Sequence, residues 1–302
     1  MPARPILAVL LNPKSSRAVR GEADGERIAA WLGDDVELRL TLLDDEADLA
    51  ALAREAVDAG ATTVVAGGGD GTVSAVAAAL VDGDVALGIL PLGTSNSIAE
   101  ALGVPSDLAS ACAVIRAGHR RAVDTARIGD HSMLLMATIG LHARAVTEAT
   151  PEAKARLGVI AYVGKALEVL LDQEPFSVDL EFPEGPCVRL SAHAVTVANL
   201  VPARSVLAQG PPAVVPDDGL LDVTVVAFSG ALDALATSVH LYTRALAGLP
   251  AEHDGVAFTR VAKLTIRAEP VQELMIDGEH VGCTPFTVEC RPRSLQVLVP
   301  ES

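Results

Sequence analysis

The glycine-rich segment at residues 67–72, Gly-Gly-Gly-Asp-Gly-Thr, has residue types and a spacing suited to holding a phosphate. An apolar, β-branched run before it predicts a buried strand, and an alanine-rich stretch after it predicts a helix. Glycines let backbone N–H groups approach a phosphate closely, and a helix start adds unpaired N–H groups with a partial positive charge. Because Asp70 would repel a phosphate unless it held a metal or oriented a donor, the segment predicts a nucleotide phosphate accompanied by a divalent cation.

Two further segments combine a turn with hydroxyl side chains. Residues 12–16 (Asn-Pro-Lys-Ser-Ser) and residues 91–96 (Pro-Leu-Gly-Thr-Ser-Asn) each follow a predicted strand. Taken alone, each has a plainer interpretation as a helix cap, and residues 67–72 can be a tight strand–helix turn. Residues 67–72 are not a Walker P-loop, and Thr72 replaces the last glycine of G-x-G-x-x-G, so a dinucleotide dehydrogenase is only weakly indicated.

The elements that must position these segments alternate through the first half of the chain. Strands are predicted at residues 6–11, 36–41, 62–66 and 85–90, and an amphipathic helix at residues 48–59. Strands alternating with helices imply a parallel sheet, which binds ligands beyond the carboxyl ends of its strands. Thr41 and the three segments all lie at that edge, so we expect them to form one site.

The pattern changes after about residue 123. Strands are predicted at residues 133–138, 176–182, 188–198, 221–227, 264–267, 274–277 and 295–299, with helices near 153–171 and 231–246. This pattern predicts an α/β nucleotide-binding domain with a parallel sheet at residues 1–125 and a β-rich, sandwich-like domain at residues 126–302. A return of about ten C-terminal residues to the first domain is left open, and a cleft is expected between the two.

Composition restricts the partners. The chain has 302 residues, a formal net charge of −16 and only 3% aromatic residues. This charge argues against a nucleic-acid partner, because neutralising phosphates requires clustered Lys and Arg. The four cysteines have no metal-binding spacing and predict reduced thiols. No apolar run approaches the ~20 residues that a membrane span needs, so a cytoplasmic protein is expected.

The joint occurrence of Gly-Gly-Asp-Gly-Thr at residues 68–72 and Pro-Leu-Gly-Thr-x-Asn at residues 91–96 resembles the diacylglycerol kinase catalytic domain family. That family includes the bacterial soluble lipid kinases and the sphingosine and ceramide kinases. The resemblance covers almost the whole chain, because four further motifs occur in the family's order. They are Asn-Pro-x-Ser at residues 12–15, Thr41, a Pro-x-Ala…Asp-Asp-Gly-Leu-Leu-Asp pattern ending at Asp222, and Asp-Gly-Glu at residues 277–279. It implies the NAD kinase/diacylglycerol kinase-like fold and an ATP-dependent lipid kinase, which transfers the γ-phosphoryl group to the hydroxyl of a lipid such as diacylglycerol.

The resemblance also implies roles for individual residues. ATP would be held by Asn12, Pro13, Lys14, Ser15, Ser16, Thr41, Gly67, Gly68, Gly69, Asp70, Gly71, Thr72 and Thr94. A structural Mg²⁺ would be held by Asp218 with the carbonyls of Val215 and Leu220, oxygen donors of the kind that hard cations take. Glu279 matches the proposed general base and Asp277 its close catalytic partner, although each of these two segments can also be a simple turn between strands.

The expected partner is a lipid substrate, which the protein reaches by transient contact with a membrane surface. No nucleic-acid partner is expected, and a homodimer is left open. Basic residues form either a solvated helix face or a membrane-facing patch. They are Arg116, His119, Arg120, Arg121, Arg144, Lys154, Arg156 and Lys165.

Three positions depart from the family pattern. Ser97 and His142 stand where the family has Asp, and Gln209-Gly210-Pro211 replaces three glycines. Two rival hypotheses are an NAD kinase-like enzyme and a non-catalytic nucleotide-binding regulatory protein on the same fold. The sequence does not specify the lipid alcohol that accepts the phosphoryl group.

Overall fold

In the computed structural model, the described residues are 4–21, 24–44, 47–140, 174–201, 214–228 and 255–301. The first part alternates strands and helices, as predicted. Its strands are β1 (Ile6–Leu11), β2 (Glu37–Leu42), β3 (Thr63–Gly68) and β4 (Ala86–Pro91). Its helices are α1 (Ser16–Val19), α2 (Gly25–Leu32), α3 (Leu49–Asp58), α4 (Asp70–Leu80), α5 (Ser97–Ala101) and α6 (Leu108–Ala117).

The four strands pair in parallel in the order β2-β1-β3-β4. Every residue of β3 and β4 is buried, as expected for strands covered by helices on both faces. Aspartates begin three of the helices: Asp24, Asp48 and Asp107 each accept a hydrogen bond from a backbone N–H of the first turn. The predicted α/β half with its parallel sheet is confirmed.

The rest of the described chain is β-structure. Its strands are β5 (Arg120–Ile128), β6 (His131–Met133), β7 (Met136–Gly140), β8 (Phe176–Glu181), β9 (Cys187–Ala192), β10 (Ala194–Ala198), β11 (Leu221–Val226), β12 (Val256–Val261), β13 (Lys263–Glu269), β14 (Glu273–Ile276), β15 (Glu279–Cys283) and β16 (Phe286–Leu298). One sheet has the order β12-β11-β10-β7-β14-β15. A larger, ten-stranded sheet joins β13, β8 and β9 to the parallel strands through β16. A single apolar cluster includes residues of both sheets, so the predicted sandwich-like half is also confirmed.

The last strand connects the two halves of the molecule. Val297 of β16 pairs in parallel with Leu87 of β4, while most of β16 pairs antiparallel with β5. Strand β5 crosses the predicted boundary after residue 125, and that boundary stays a prediction. The ten-stranded sheet is therefore mixed, and it extends from the α/β half into the sandwich.

The single strand predicted at residues 188–198 is wrong in one respect, because it is two strands that meet at His193. Strand β9 pairs with β8 in the larger sheet, whereas β10 pairs with β7 and β11 in the smaller one. The chain passes between the sheets at His193. Strands β5, β12 and β15 were not predicted, and the strand predicted at residues 133–138 covers the end of β6 and the start of β7.

Several expectations lie outside the described residues. They are the helices near 153–171 and 231–246, His142 and the basic residues from Arg144 to Lys165, and residues 209–213. Among the helices that the structure does describe, none has the length and apolarity required to cross a membrane.

Candidate active site

The three glycine- and hydroxyl-bearing segments meet at the carboxyl edge of the parallel strands, as predicted. The backbone N–H of Asn12 donates to the carbonyl of Gly67 at 2.8 Å. The N–H of Leu92 donates to the carbonyl of Gly68 at 2.9 Å. Thr41, near the end of β2, lies beside Leu10 of β1 and is exposed. The edge is therefore one continuous backbone surface, with Thr41 at its margin.

The two glycine turns touch each other through their backbones. A Cβ placed on Gly93 would lie 2.5 Å from the Cα of Gly69, closer than any side chain tolerates. A Cβ on Gly68 would lie 2.3 Å from Oγ1 of Thr72, whose side chain packs over that glycine. Thr72 is only 6% exposed. Glycine is thus needed at Gly68 and Gly93 for packing, before any ligand is considered.

The side chains of residues 12–16 mostly hold their own turn. Oδ1 of Asn12 accepts from the N–H of Lys14 at 2.9 Å, and the hydroxyl of Ser15 donates to the carbonyl of Asn12 at 2.8 Å. The hydroxyl of Ser16 reaches the next loop and donates to the carbonyl of Leu92 at 3.2 Å. Pro13, Lys14 and, in the facing loop, Thr94 are exposed at the same edge. The predicted ATP residues therefore lie together, and several of their polar atoms build the edge itself.

Asp70 links the first glycine turn to helix α5. It is the first residue of α4, where a negative charge is favoured by the helix dipole. Its Oδ1 accepts from the N–H of Ile98, in the first turn of α5, at 2.9 Å. This hydrogen bond orients a donor, one of the two roles that the sequence analysis allowed for Asp70.

Asp277 is held more firmly than any other predicted site residue. Its carboxylate accepts three consecutive backbone N–H groups, those of Leu134, Leu135 and Met136, at 2.8–2.9 Å, and the Ser74 hydroxyl at 2.9 Å. Its own N–H donates to the carbonyl of Met136 at 2.9 Å. Burial raises the pKa of Asp277, and the four hydrogen bonds to its carboxylate oppose that rise.

Glu279 directly follows the turn at Asp277 and Gly278 and faces the glycine-rich loop at residues 67–72. It is the first residue of β15, two positions after Asp277, and it is exposed. A Cβ placed on Gly71 would lie 3.8 Å from Oε1 of Glu279, so this carboxylate is beside the first turn of α4. A carboxylate from the sandwich half thus faces the glycine-rich loop of the α/β half.

The turn before β11 contains the predicted cation ligand Asp218. Its Oδ1 accepts from the N–H of Leu220 at 3.0 Å, and its Oδ2 lies 2.7 Å from Nη2 of Arg260. The neighbouring Asp217 pairs with Arg121 at 3.1 Å. Asp218 is therefore already partly neutralised by an arginine.

One buried oxygen beside this turn lacks a partner. Oδ2 of Asp222 is buried and has no hydrogen bond, and burial raises the pKa of this carboxyl. Over the described ranges no three His, Cys, Asp or Glu side chains form a metal-binding group. Oδ1 of Asp222 lies 3.2 Å from Nε of Arg260, so Oδ2 is the oxygen of this carboxylate left for a ligand. These oxygen donors fit a hard cation in their chemistry, provided that the carbonyls of Val215 and Leu220 supply the remaining ligands.

Sequence reasoning missed Ser74 and the three N–H groups that hold Asp277. Ser74 had a signal, because it is the one polar side chain between Val73 and Leu80. The backbone N–H groups of Leu134, Leu135 and Met136 had none, since backbone donors do not depend on residue type.

Comparison with known proteins matches both halves of the chain. Residues 6–128 match the diacylglycerol kinase catalytic domain, and residues 136–299 match the YegS C-terminal NAD kinase β-sandwich-like domain. Uncharacterized protein sll0036 of Synechocystis sp. is 36% identical over 97% of this chain and 70% of its own length. A Klebsiella pneumoniae protein named "Probable lipid kinase YegS-like" is 31% identical over 89% of this chain and 87% of its own length.

Solved structures share the fold. A diacylglycerol kinase from Bacillus anthracis superposes with a TM-score of 0.73 at 20% identity, covering 99% of this chain and 98% of that one. An NAD kinase from Archaeoglobus fulgidus in complex with ATP gives a TM-score of 0.55 at 14% identity, covering 98% and 94%. At these identities the likeness shows the fold alone.

The contact between the glycine turns generates a prediction. Gly93→Ala should lower the free energy of unfolding by about 1–3 kcal/mol, because the new Cβ overlaps the backbone of Gly69. Urea unfolding measures the loss. Gly71→Ala is the matched control, since its Cβ would lie 3.8 Å from Oε1 of Glu279, an ordinary contact distance, and alanine suits a helix. Equal stability of the two variants would contradict the proposed packing role of Gly93.

Proposed function

The chain belongs to the diacylglycerol kinase catalytic domain family, and on that premise we propose that it transfers the γ-phosphoryl group of ATP to the hydroxyl of a lipid such as diacylglycerol. The observation that carries the proposal is the approach of Oε1 of Glu279 to Gly71. This approach brings the Glu279 carboxylate, from one half of the molecule, beside the glycine-rich loop of the other half. A proposed base and a proposed phosphate loop would therefore face the same space.

The phosphate side of the reaction uses backbone groups. The loop at residues 67–72 ends in the first turn of α4, whose N–H groups have no partner within the helix. Such groups stabilise the charge of a phosphoryl group during transfer, where most of the catalysis is positioning. Exposed Thr41, Lys14 and Thr94 at the same edge are proposed to contact the rest of the nucleotide.

Glu279 is proposed to be the general base. A lipid hydroxyl is a poor nucleophile near neutral pH, so its proton must be accepted as the oxygen attacks the γ-phosphorus. The proton passes to the Glu279 carboxylate while the bond from the γ-phosphorus to the leaving oxygen breaks and ADP departs. Asp277 is less suited to accept this proton than Glu279, because four hydrogen-bond donors already occupy its carboxylate oxygens.

A divalent cation is proposed at two places. When bound with ATP, Mg²⁺ neutralises charge on the transferred phosphoryl group. Asp70 is proposed to hold it directly or through water. A second ion would be held at the Asp218 turn, with the carbonyls of Val215 and Leu220. A lipid acceptor also requires that the protein, proposed to be cytoplasmic, touch a membrane surface transiently.

The proposal predicts lipid phosphorylation that can be read by mass. The purified protein with labelled ATP and Mg²⁺ is offered diacylglycerol, a sphingoid base, a polyprenol and, in a separate arm, NAD. We expect a phosphorylated lipid and no NADP, because the family match is to a lipid kinase catalytic domain. Phosphorylation of NAD alone would replace the proposal with an NAD kinase, and ATP binding with no turnover would indicate a regulatory protein.

Removing the proposed base should slow turnover strongly and leave nucleotide binding almost unchanged. Glu279→Gln is expected to reduce kcat for the lipid about 10²- to 10⁴-fold, which is the usual contribution of a general base. Its Kd for ATP should stay within about twofold. Glu273→Gln is the control, because this exposed glutamate lies on the same hairpin at the far end of β14. Wild-type turnover in Glu279→Gln would rule out the assignment of the base.

The cation site at Asp218 predicts a metal-dependent stability. Millimolar MgCl₂ should raise the Tm of the wild-type protein measured without nucleotide, because a ligand that binds only the folded state stabilises it. The rise should be lost in Asp218→Asn and kept in Asp217→Asn, whose carboxylate pairs with Arg121 instead. The comparison uses the shift on adding Mg²⁺, since each substitution also breaks an arginine pair. An equal shift in all three proteins would contradict the site.

A further inference from the structure

The hydrogen bond between Ser74 and Asp277 joins the two halves of the proposed active site. Ser74 lies in α4, one helical turn after Asp70, so it is on the helix whose first turn forms the phosphate loop. Asp277 lies in the turn between β14 and β15, two residues before Glu279. The Ser74 hydroxyl donates to Oδ2 of Asp277 at 2.9 Å, across 203 residues of sequence.

The donor in this contact is the serine. Three backbone N–H groups already donate to the Asp277 carboxylate, two of them to Oδ1 and that of Leu134 to Oδ2. A carboxylate surrounded by donors accepts, so the fourth contact is O–H···O⁻ from Ser74. Hydrogen bonds to a charged acceptor are stronger and more directional than neutral ones, which makes this contact suited to fixing a distance.

The backbone of the turn transmits this restraint to Glu279. Asp277 adopts a left-handed conformation with φ of 50°, and Gly278 follows with φ of 93°. The tight turn leaves the position of Glu279 dependent on where Asp277 is held. Since Oε1 of Glu279 already faces Gly71, a shift of the turn away from α4 would move the base away from the phosphate loop.

We propose that Ser74 is a positioning residue for phosphoryl transfer: through Asp277 it fixes the distance between the Glu279 carboxylate and the first turn of α4. This inference rests on the proposed function. It adds a residue that acts through Asp277 and is not proposed to contact ATP or the lipid. It accounts for a hydroxyl within an otherwise apolar stretch of α4, where alanine would serve the helix better.

The test separates positioning from folding and from ATP binding. Ser74→Ala should lower kcat about 10- to 100-fold, because a displacement of about 1 Å in a catalytic group has an effect of that size. KM for ATP should change less than twofold, and Ser74→Thr, which keeps the hydroxyl, should recover most of kcat. Ser191→Ala, at an exposed position of β9, makes the same atomic change and should match the wild type.

A double variant shows whether Ser74 acts through Glu279. If it does, adding Ser74→Ala to Glu279→Gln should cost less than about twofold in the residual rate, since the base that Ser74 positions is already gone. A further 10- to 100-fold loss in the double variant would overturn the proposal, as would a wild-type kcat in Ser74→Ala.

Amide hydrogen exchange tests the same contact without turnover. Exchange at residues 279–283 should quicken in Ser74→Ala and stay at the wild-type rate in Ser74→Thr and Ser191→Ala. If the wild-type protein phosphorylates no lipid, the proposed function fails while this arm still decides whether Ser74 holds the hairpin. Unchanged exchange in Ser74→Ala would overturn the positioning role whatever the activity.

Discussion

The carboxylate of Asp277 is the group on which the arrangement of the candidate site depends. Taking a carboxylate out of water is costly unless hydrogen bonds replace the lost solvent, and here four donors do so. Three of them come from the chain that leads into β7, and the fourth comes from α4. The same charge therefore accepts hydrogen bonds from backbone groups at the start of β7 and attaches the β14–β15 turn to helix α4.

The glycines of residues 67–72 and 91–96 serve different physical purposes, although they look alike in sequence. Gly68 and Gly93 are required because Thr72 and the backbone of Gly69 occupy the space of a Cβ. At Gly71 a Cβ would meet only the carboxylate of Glu279, at ordinary contact distance. Gly68 and Gly93 build the edge, whereas Gly71 leaves open the space between the loop and the Glu279 carboxylate. The predicted phosphate-binding loop thus depends on packing as much as on the freedom of its backbone.

The sequence predicted what depends on local pattern. The four parallel strands follow from apolar runs, and the convergence of residues 12–16, 67–72 and 91–96 follows from the rule that parallel strands end at one edge. The split at His193 was missed, because no glycine or proline interrupts residues 188–198 and the change of sheet depends on distant pairing partners. The contact of Ser74 with Asp277 was missed for the same reason, since it joins positions 203 residues apart. Glu279 was predicted as a base by resemblance, but its approach to Gly71 needed the structure.

The Asp70 carboxylate can both hold two loops together and bind a metal, although a negative charge at this position looks unfavourable from the sequence. A carboxylate next to bound phosphates is unfavourable by simple repulsion, which is why a metal-linked role was expected for it. The structure provides another compensation, because Asp70 begins α4 and its Oδ1 accepts from the N–H of Ile98 in the first turn of α5. The charge is thus stabilised before any cation binds, and it ties together the two loops whose glycines touch. Since Oδ1 makes that bond, Oδ2 is the atom that a cation would approach, so holding the loops and binding a metal are compatible roles for this side chain.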